Sequence, residues 1–241
     1  MASNGNQQLL VSYHKLQQTV GWIALLMPIA VRVLAFAYER IFTTNSISAY
    51  YYTDLRDVFV GSLVVGGLLL AFFRTDDRKD RWIAIVAGLS AIGIALFPMD
   101  IAAGVLASPD TTNAEAEAKL VQALRAGPHG PLGYHFVFVG VFFLLTFYLV
   151  TFRFRANTPT NPTRQKQQRN GVYVVCGGLM GLAFIWIGIL WHVGKQSSIF
   201  WPETLAVMAF AAAWLVKGQL VLKDRQGPAS HSRPSAQAGV A

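Results

Sequence analysis

The sequence predicts an all-α, polytopic transmembrane helical bundle of about six spans with both termini in the cytoplasm, and three observations carry that reading. Hydrophobic residues make up 54% of the chain and charged ones only 13%, whereas a soluble domain carries about 25% charged residues. The charges are gathered into short stretches between apolar runs of spanning length. Lys and Arg also fall unequally on alternate connections.

Residues 1–19 are polar, hold Lys15 and read as a cytoplasmic segment. The first apolar run is 20–38. Ala35-Phe36-Ala37 has the small-x-small form of a signal-peptidase site, but the leader is long and the run is itself of spanning length, so a retained helix is expected. Pro28 removes one backbone hydrogen bond and is expected to bend it. The run 58–73 is the shortest and extends back through Leu55; 82–99 follows after a tight charged turn at 74–81. In the long connection 101–133, Thr112 and Glu115 have capping-box spacing, 114–126 is rich in helix formers and Gly127 ends it, which predicts a short helix. Runs 135–152, 172–193 and 199–216 complete the set, with a flexible Pro-, Thr- and Gln-rich loop at 157–168. At about 1.5 Å per residue each run covers most or all of a hydrocarbon core of about 30 Å. The membrane domain is therefore 20–218, and 219–241 is a cytoplasmic tail with a disordered end.

Orientation comes from the bases. Lys15, Arg74, Arg78, Lys79, Arg81, Arg153, Arg155, Arg164, Lys166, Arg169, Lys217, Lys223, Arg225 and Arg233 share one side. Arg40, Arg56, Lys119, Arg125 and Lys195 share the other, so the split is fourteen against five. The fourteen mark the cytoplasm. Trp82, Tyr134, Tyr148, Trp191 and Trp201 fall near run ends, where amphipathic rings favour the headgroup region. The expected location is the plasma (bacterial inner) membrane, with membrane lipid as partner. A net charge of +8 would fit a nucleic-acid partner only with a basic, aromatic-interleaved patch, and there is none. Cys176 is the only cysteine, so no internal disulfide forms. Gly177 with Gly181, and Ala87, Ala91 and Ala95, have the small-residue spacing that lets helix backbones approach in lipid.

The chemistry-bearing residues gather at the outer ends. Asp54 and Asp57 open the second helix, Asp100 closes the third, His135 opens the fourth, Trp191-His192 closes the fifth and Glu203 opens the sixth. Arg32, two turns from the outer end of the first helix, is costly among lipid tails and is expected to pair with Asp57, Asp100 or Glu203. The segment 46–52, Ser-Ile-Ser-Ala-Tyr-Tyr-Tyr, is too short and polar to span. It suits a cover over the bundle mouth, with the hydroxyls of Tyr50, Tyr51 and Tyr52 turned into a pocket; the alternative is an aromatic belt. Arg32, the three tyrosines and Trp191 are the ligand-binding candidates.

The runs Ser46-Ile-Ser-Ala-Tyr-Tyr, Arg56-Asp-Val-Phe-Val-Gly61, Ala95-Leu-Phe-Pro98 and Trp214-Leu-Val-Lys-Gly218 resemble a group of bacterial six-helix membrane proteins of unknown function. A weaker similarity is to the membrane hydrolases that include alkaline ceramidases and the progestin and adiponectin receptors. Those place a serine, an aspartate and three histidines around zinc, a role this resemblance gives to Ser48, Asp100, His135 and His192. The chain departs from them in having six runs and no paired His-x-x-x-His.

Four functions follow. The first is an outward-facing pocket that binds, and in its enzymatic version hydrolyses, a lipid or small amphipathic molecule. There Asp100, His135 and His192 hold Zn, which lowers the pKa of bound water toward about 7, and Glu203 or Asp57 acts as base. The others are a non-catalytic scaffold or sensor, a transporter or channel, and a haem b held between His135 and His192.

Overall fold

The structure, a computed structural model, describes residues 2–39, 41–73, 75, 77–99, 110–111, 134–156, 158–193 and 199–223. Six long helices stand among them: α1 (Ala2–Leu34), α2 (Arg56–Ala71), α3 (Arg78–Leu96), α4 (Tyr134–Tyr148), α5 (Arg164–His192) and α6 (Phe200–Lys217). α1 ends in a wider π turn, Ala35–Glu39, and α4 runs through another, Leu149–Arg153, into a last turn at Phe154–Ala156. β1 (Ile41–Thr43) and β2 (Asp110–Thr111) form a small antiparallel ladder. The expected helix at 114–126, the end of the tail and Asp100 lie outside the described residues.

Three stretches are long and apolar enough to cross a membrane: Val11–Tyr38, Tyr134–Ala156 and Arg164–His192. The remaining helices are weaker spans for reasons visible in their residues. α2 has 16 residues, which reach about 24 Å against a core of about 30 Å. α3 opens with Arg78, Lys79, Asp80 and Arg81, and α6 carries Glu203 and Lys217 near its two ends.

Local chemistry sets the boundaries. The Asp77 side chain accepts from the Lys79 N–H at 2.8 Å and caps α3, as Thr163 caps α5 through Lys166. Pro98 pushes Phe97 into extended backbone (φ −111, ψ 95) and stops α3 there. The polar leader is itself helical, since α1 begins at Ala2, and the helix passes through the buried Pro28 without a break.

Neighbour contacts close a ring. α1 lies on α2, α2 on α3, α3 on α4, the π turn after α4 on α5, α5 on α6, and α6 on α1. The closest crossing is Gly67 on Gly88. A Cβ at Gly67 would sit 2.6 Å from the Gly88 carbonyl oxygen, and one at Gly88 would strike the Gly67 carbonyl and Ala71. Only residues without side chains allow that approach. Gly177 likewise meets the Thr151 side chain, and Ala87, Ala91 and Ala95 are all buried.

Two apolar cores occupy the ends of the ring. Tyr50, Phe59, Met99 and Phe200 belong to one; Phe73, Phe154, Tyr173 and Trp214 belong to the other. We call these the His135 end and the Arg153 end.

Candidate functional site

The site is built on the 3-10 turn Ile47–Tyr52, which is buried throughout. Ser46 caps it by accepting the Ser48 N–H at 3.1 Å. The same Ser46 hydroxyl donates to Glu203, at 2.8 Å from Oε2 and 3.1 Å from Oε1, and the Ile47 N–H donates to Oε2 at 2.8 Å. Thus a carboxylate in the first turn of α6 holds the start of a segment that lies far from it in sequence. The Phe200 N–H adds a bond to the Asn45 carbonyl at 2.7 Å.

From the other side comes His135, in the first turn of α4. Its Nδ1 lies 2.8 Å from the Phe97 carbonyl oxygen and its Nε2 lies 3.1 Å from the Ser48 hydroxyl. Pro98 makes this possible, since the helix it ends leaves the Phe97 carbonyl outside the backbone ladder. A carbonyl only accepts, so Nδ1 carries the proton and the unprotonated Nε2 accepts from Ser48, a tautomer assigned from the bonding pattern.

The tyrosines do not line an open pocket. Tyr52 donates its hydroxyl to the Met99 carbonyl at 2.6 Å, Tyr51 accepts from Arg56 at 2.5 Å, and Tyr50 packs its ring edge-on against Phe200. All three belong to the core of this end. They clamp the segment instead of presenting it to a ligand, because rings this size are worth more buried than exposed.

Arg32 forms no ion pair with Glu203 or Asp57, and its expected third partner, Asp100, lies outside the described residues. Its guanidinium sits over the rings of Phe200 and Trp201, 5.3 and 4.9 Å from their centroids. Nη1 is buried with no hydrogen-bond partner among the described residues. Cation–π attraction replaces the expected carboxylate. Asp57 is exposed in the first turn of α2 and touches none of these groups, so it is not placed to act as a base here. Trp191 packs against Phe136 at the end of α5, away from the cavities below, and His192 beside it is exposed.

Zinc and haem both need an imidazole nitrogen free to ligate. Both nitrogens of His135 are engaged within the protein, and no three His, Cys, Asp or Glu side chains among the described residues gather at metal-binding spacing. The described residues at this end do not fit either group.

Beneath the turn lies a cavity of about 50 Å³ lined by Ile47, Ser48 and Glu203 together with Phe59, Ile94 and Val139. It has room for at least one water molecule. It shares Met27, Leu63, Phe142, Phe143 and Val207 with a second cavity of about 60 Å³ inside the ring. The second shares Ile23, Met27 and Ser62 with a groove of about 440 Å³ between α1 and α2. The result is three mostly apolar spaces with shared walls, set one beside the next between the side of the bundle and two polar groups at its end.

Sequence reasoning singled out Ser48, His135 and Glu203 but missed Ser46 and the Phe97 carbonyl. Both left a signal: Ser46 starts a Ser-x-Ser cap, and Phe97 precedes a proline. Comparison with family models, curated proteins and solved structures found no match, and the functional reading therefore rests on the geometry.

Proposed function

We propose that this is a six-span membrane protein that binds a lipid or small amphipathic molecule at its His135 end, with its chain in the apolar spaces and its polar part near the 46–52 segment. The observation that carries this is the row of three neighbouring spaces with shared walls, mostly apolar and ending at Ser48 and Glu203. Small-ligand sites have this character, mostly apolar with a few placed polar groups. Arg32 and Arg56 sit on aromatic faces without carboxylate partners among the described residues, which suits an anionic headgroup. The base count supports a reading with this end outside and the Arg153 end in the cytoplasm. A non-catalytic scaffold is the second reading, favoured by the full engagement of His135.

The test is native mass spectrometry of protein released from membranes, for the wild type and for Gly61→Trp. Gly61 lines the lateral groove, and a Cβ added there meets nothing within 4 Å, so a large side chain can start into the groove without striking the backbone. A bound lipid in the wild type that is lost in Gly61→Trp supports the proposal. A lipid-free wild type leaves the scaffold reading.

A further inference from the structure

We propose that Ser48 is an acyl-accepting nucleophile with His135 as its general base, and that the substrate is a lipid ester. The proposal rests on the binding reading above for its substrate class. The chemistry is read from a chain of three groups, the Phe97 carbonyl, the His135 ring and the Ser48 hydroxyl. The Phe97 carbonyl fixes the proton on Nδ1, 2.8 Å away, and Nε2 lies 3.1 Å from the Ser48 oxygen as its acceptor. That is a base within proton-transfer reach of a nucleophile, itself oriented by a third group, the arrangement that activates a serine. A backbone carbonyl stands where an aspartate stands in the familiar triad, so it orients the ring without adding a full negative charge.

Position adds a second argument. Ser48 and His135 are 8% and 5% exposed, yet Ser48 lines the cavity under the turn. The pair is thus shielded but still within reach of the single water molecules the second step needs, and an acyl chain lying in the neighbouring apolar spaces brings its ester to this end. A serine that only fastened the turn to α4 would not need to line a cavity.

In the first step Ser48 Oγ forms a bond to the ester carbonyl carbon as its proton passes to Nε2 of His135. The carbonyl oxygen takes the displaced electron pair. Its return breaks the bond to the alcohol oxygen, which leaves with the proton from Nε2. Water then attacks the acylated Ser48 by the same route, with His135 again taking and returning one proton. The sum is ester plus water giving acid plus alcohol.

The experiment treats the full-length protein in detergent with a long-chain alkyl fluorophosphonate and locates the adduct by peptide mass spectrometry. The expected result is time-dependent labelling of Ser48 in the wild type, none at that peptide in Ser48→Ala, and labelling slowed about a hundredfold in His135→Gln. Wild-type protein alone decides the main point, so a poorly folding variant does not. Absence of label on Ser48 in folded wild type overturns the proposal, as does a rate unchanged in a folded His135→Gln. A wild type that carries lipid but is not labelled sinks the nucleophile and spares the binding reading. Labelling of Ser48 in a protein that carries no lipid does the reverse.

Discussion

The two ends of the bundle handle charge in opposite ways. At the Arg153 end, the Arg153 guanidinium bonds both Asp77 and Asp80, so opposite charges cancel within the fold. At the His135 end no such cancellation occurs among Arg32, Arg56, Asp57 and Glu203. Glu203 is held by a hydroxyl and a backbone N–H, while the two arginines lie on aromatic rings. The Arg153 end also buries Trp214 against Phe73 and Phe154. The comparison separates an end whose opposite charges pair with each other from one whose arginines lie on aromatic rings without a carboxylate partner among the described residues.

Three measurements break or sharpen this contrast. The largest expected effect is at Arg153. Arg153→Leu leaves Asp80, which is 12% exposed, without its partner. Breaking a fully buried pair costs about 3 to 5 kcal/mol, and partial exposure reduces that to about 2 kcal/mol. Thermal unfolding in detergent should show a clear loss of stability; a change within error would make the pair ornamental.

Next comes Glu203→Ala, which strips the acceptor from the Ser46 hydroxyl and the Ile47 N–H at a cost of about 1 to 2 kcal/mol. Glu203→Gln keeps an oxygen acceptor and should cost about half as much or less. If Gln proves as damaging as Ala, the carboxylate's charge matters to the fold itself, and the contrast between the ends collapses.

The smallest effect is a pH dependence at Asp77. The Lys79 N–H bond, aided by the Arg153 guanidinium, holds its carboxyl below the usual value of 3.8. A lowered pKa contributes stability that is complete above the unfolded value and fades as pH falls through the folded one. Melting followed from pH 5 down to pH 2 should therefore fall less steeply in Asp77→Asn. A steeper fall in the variant would reverse the sign.

Much of this was legible in the sequence, for physical reasons. Hydrophobic runs report helices directly, and all six coincide with helices along most of their length. Gly177 announced a close approach through its spacing. The Gly67 and Gly88 crossing did not, because each glycine stands in its own helix and only the fold pairs them. Arg32 was readable as an expense needing compensation, but a sequence shows the need and not the partner. The carboxylate expected there gave way to Phe200 and Trp201, which lie just before Glu203 in the same turn of α6. His135 was noticed as a metal ligand and Ser48 as a catalytic residue, yet not as a bonded pair; the bond between them depends on the carbonyl that Pro98 frees.

The account's central claim is that a ligand chain lies inside the ring and not merely around it. Photo-crosslinking with a phospholipid bearing a diazirine on its acyl chain, followed by peptide mapping, tests this most directly. Adducts on the cavity-lining Met27, Leu63 and Phe142, reduced in Gly61→Trp, are the expected result. Adducts confined to outward-facing side chains such as Val33, Leu144 and Ile185 would contradict it.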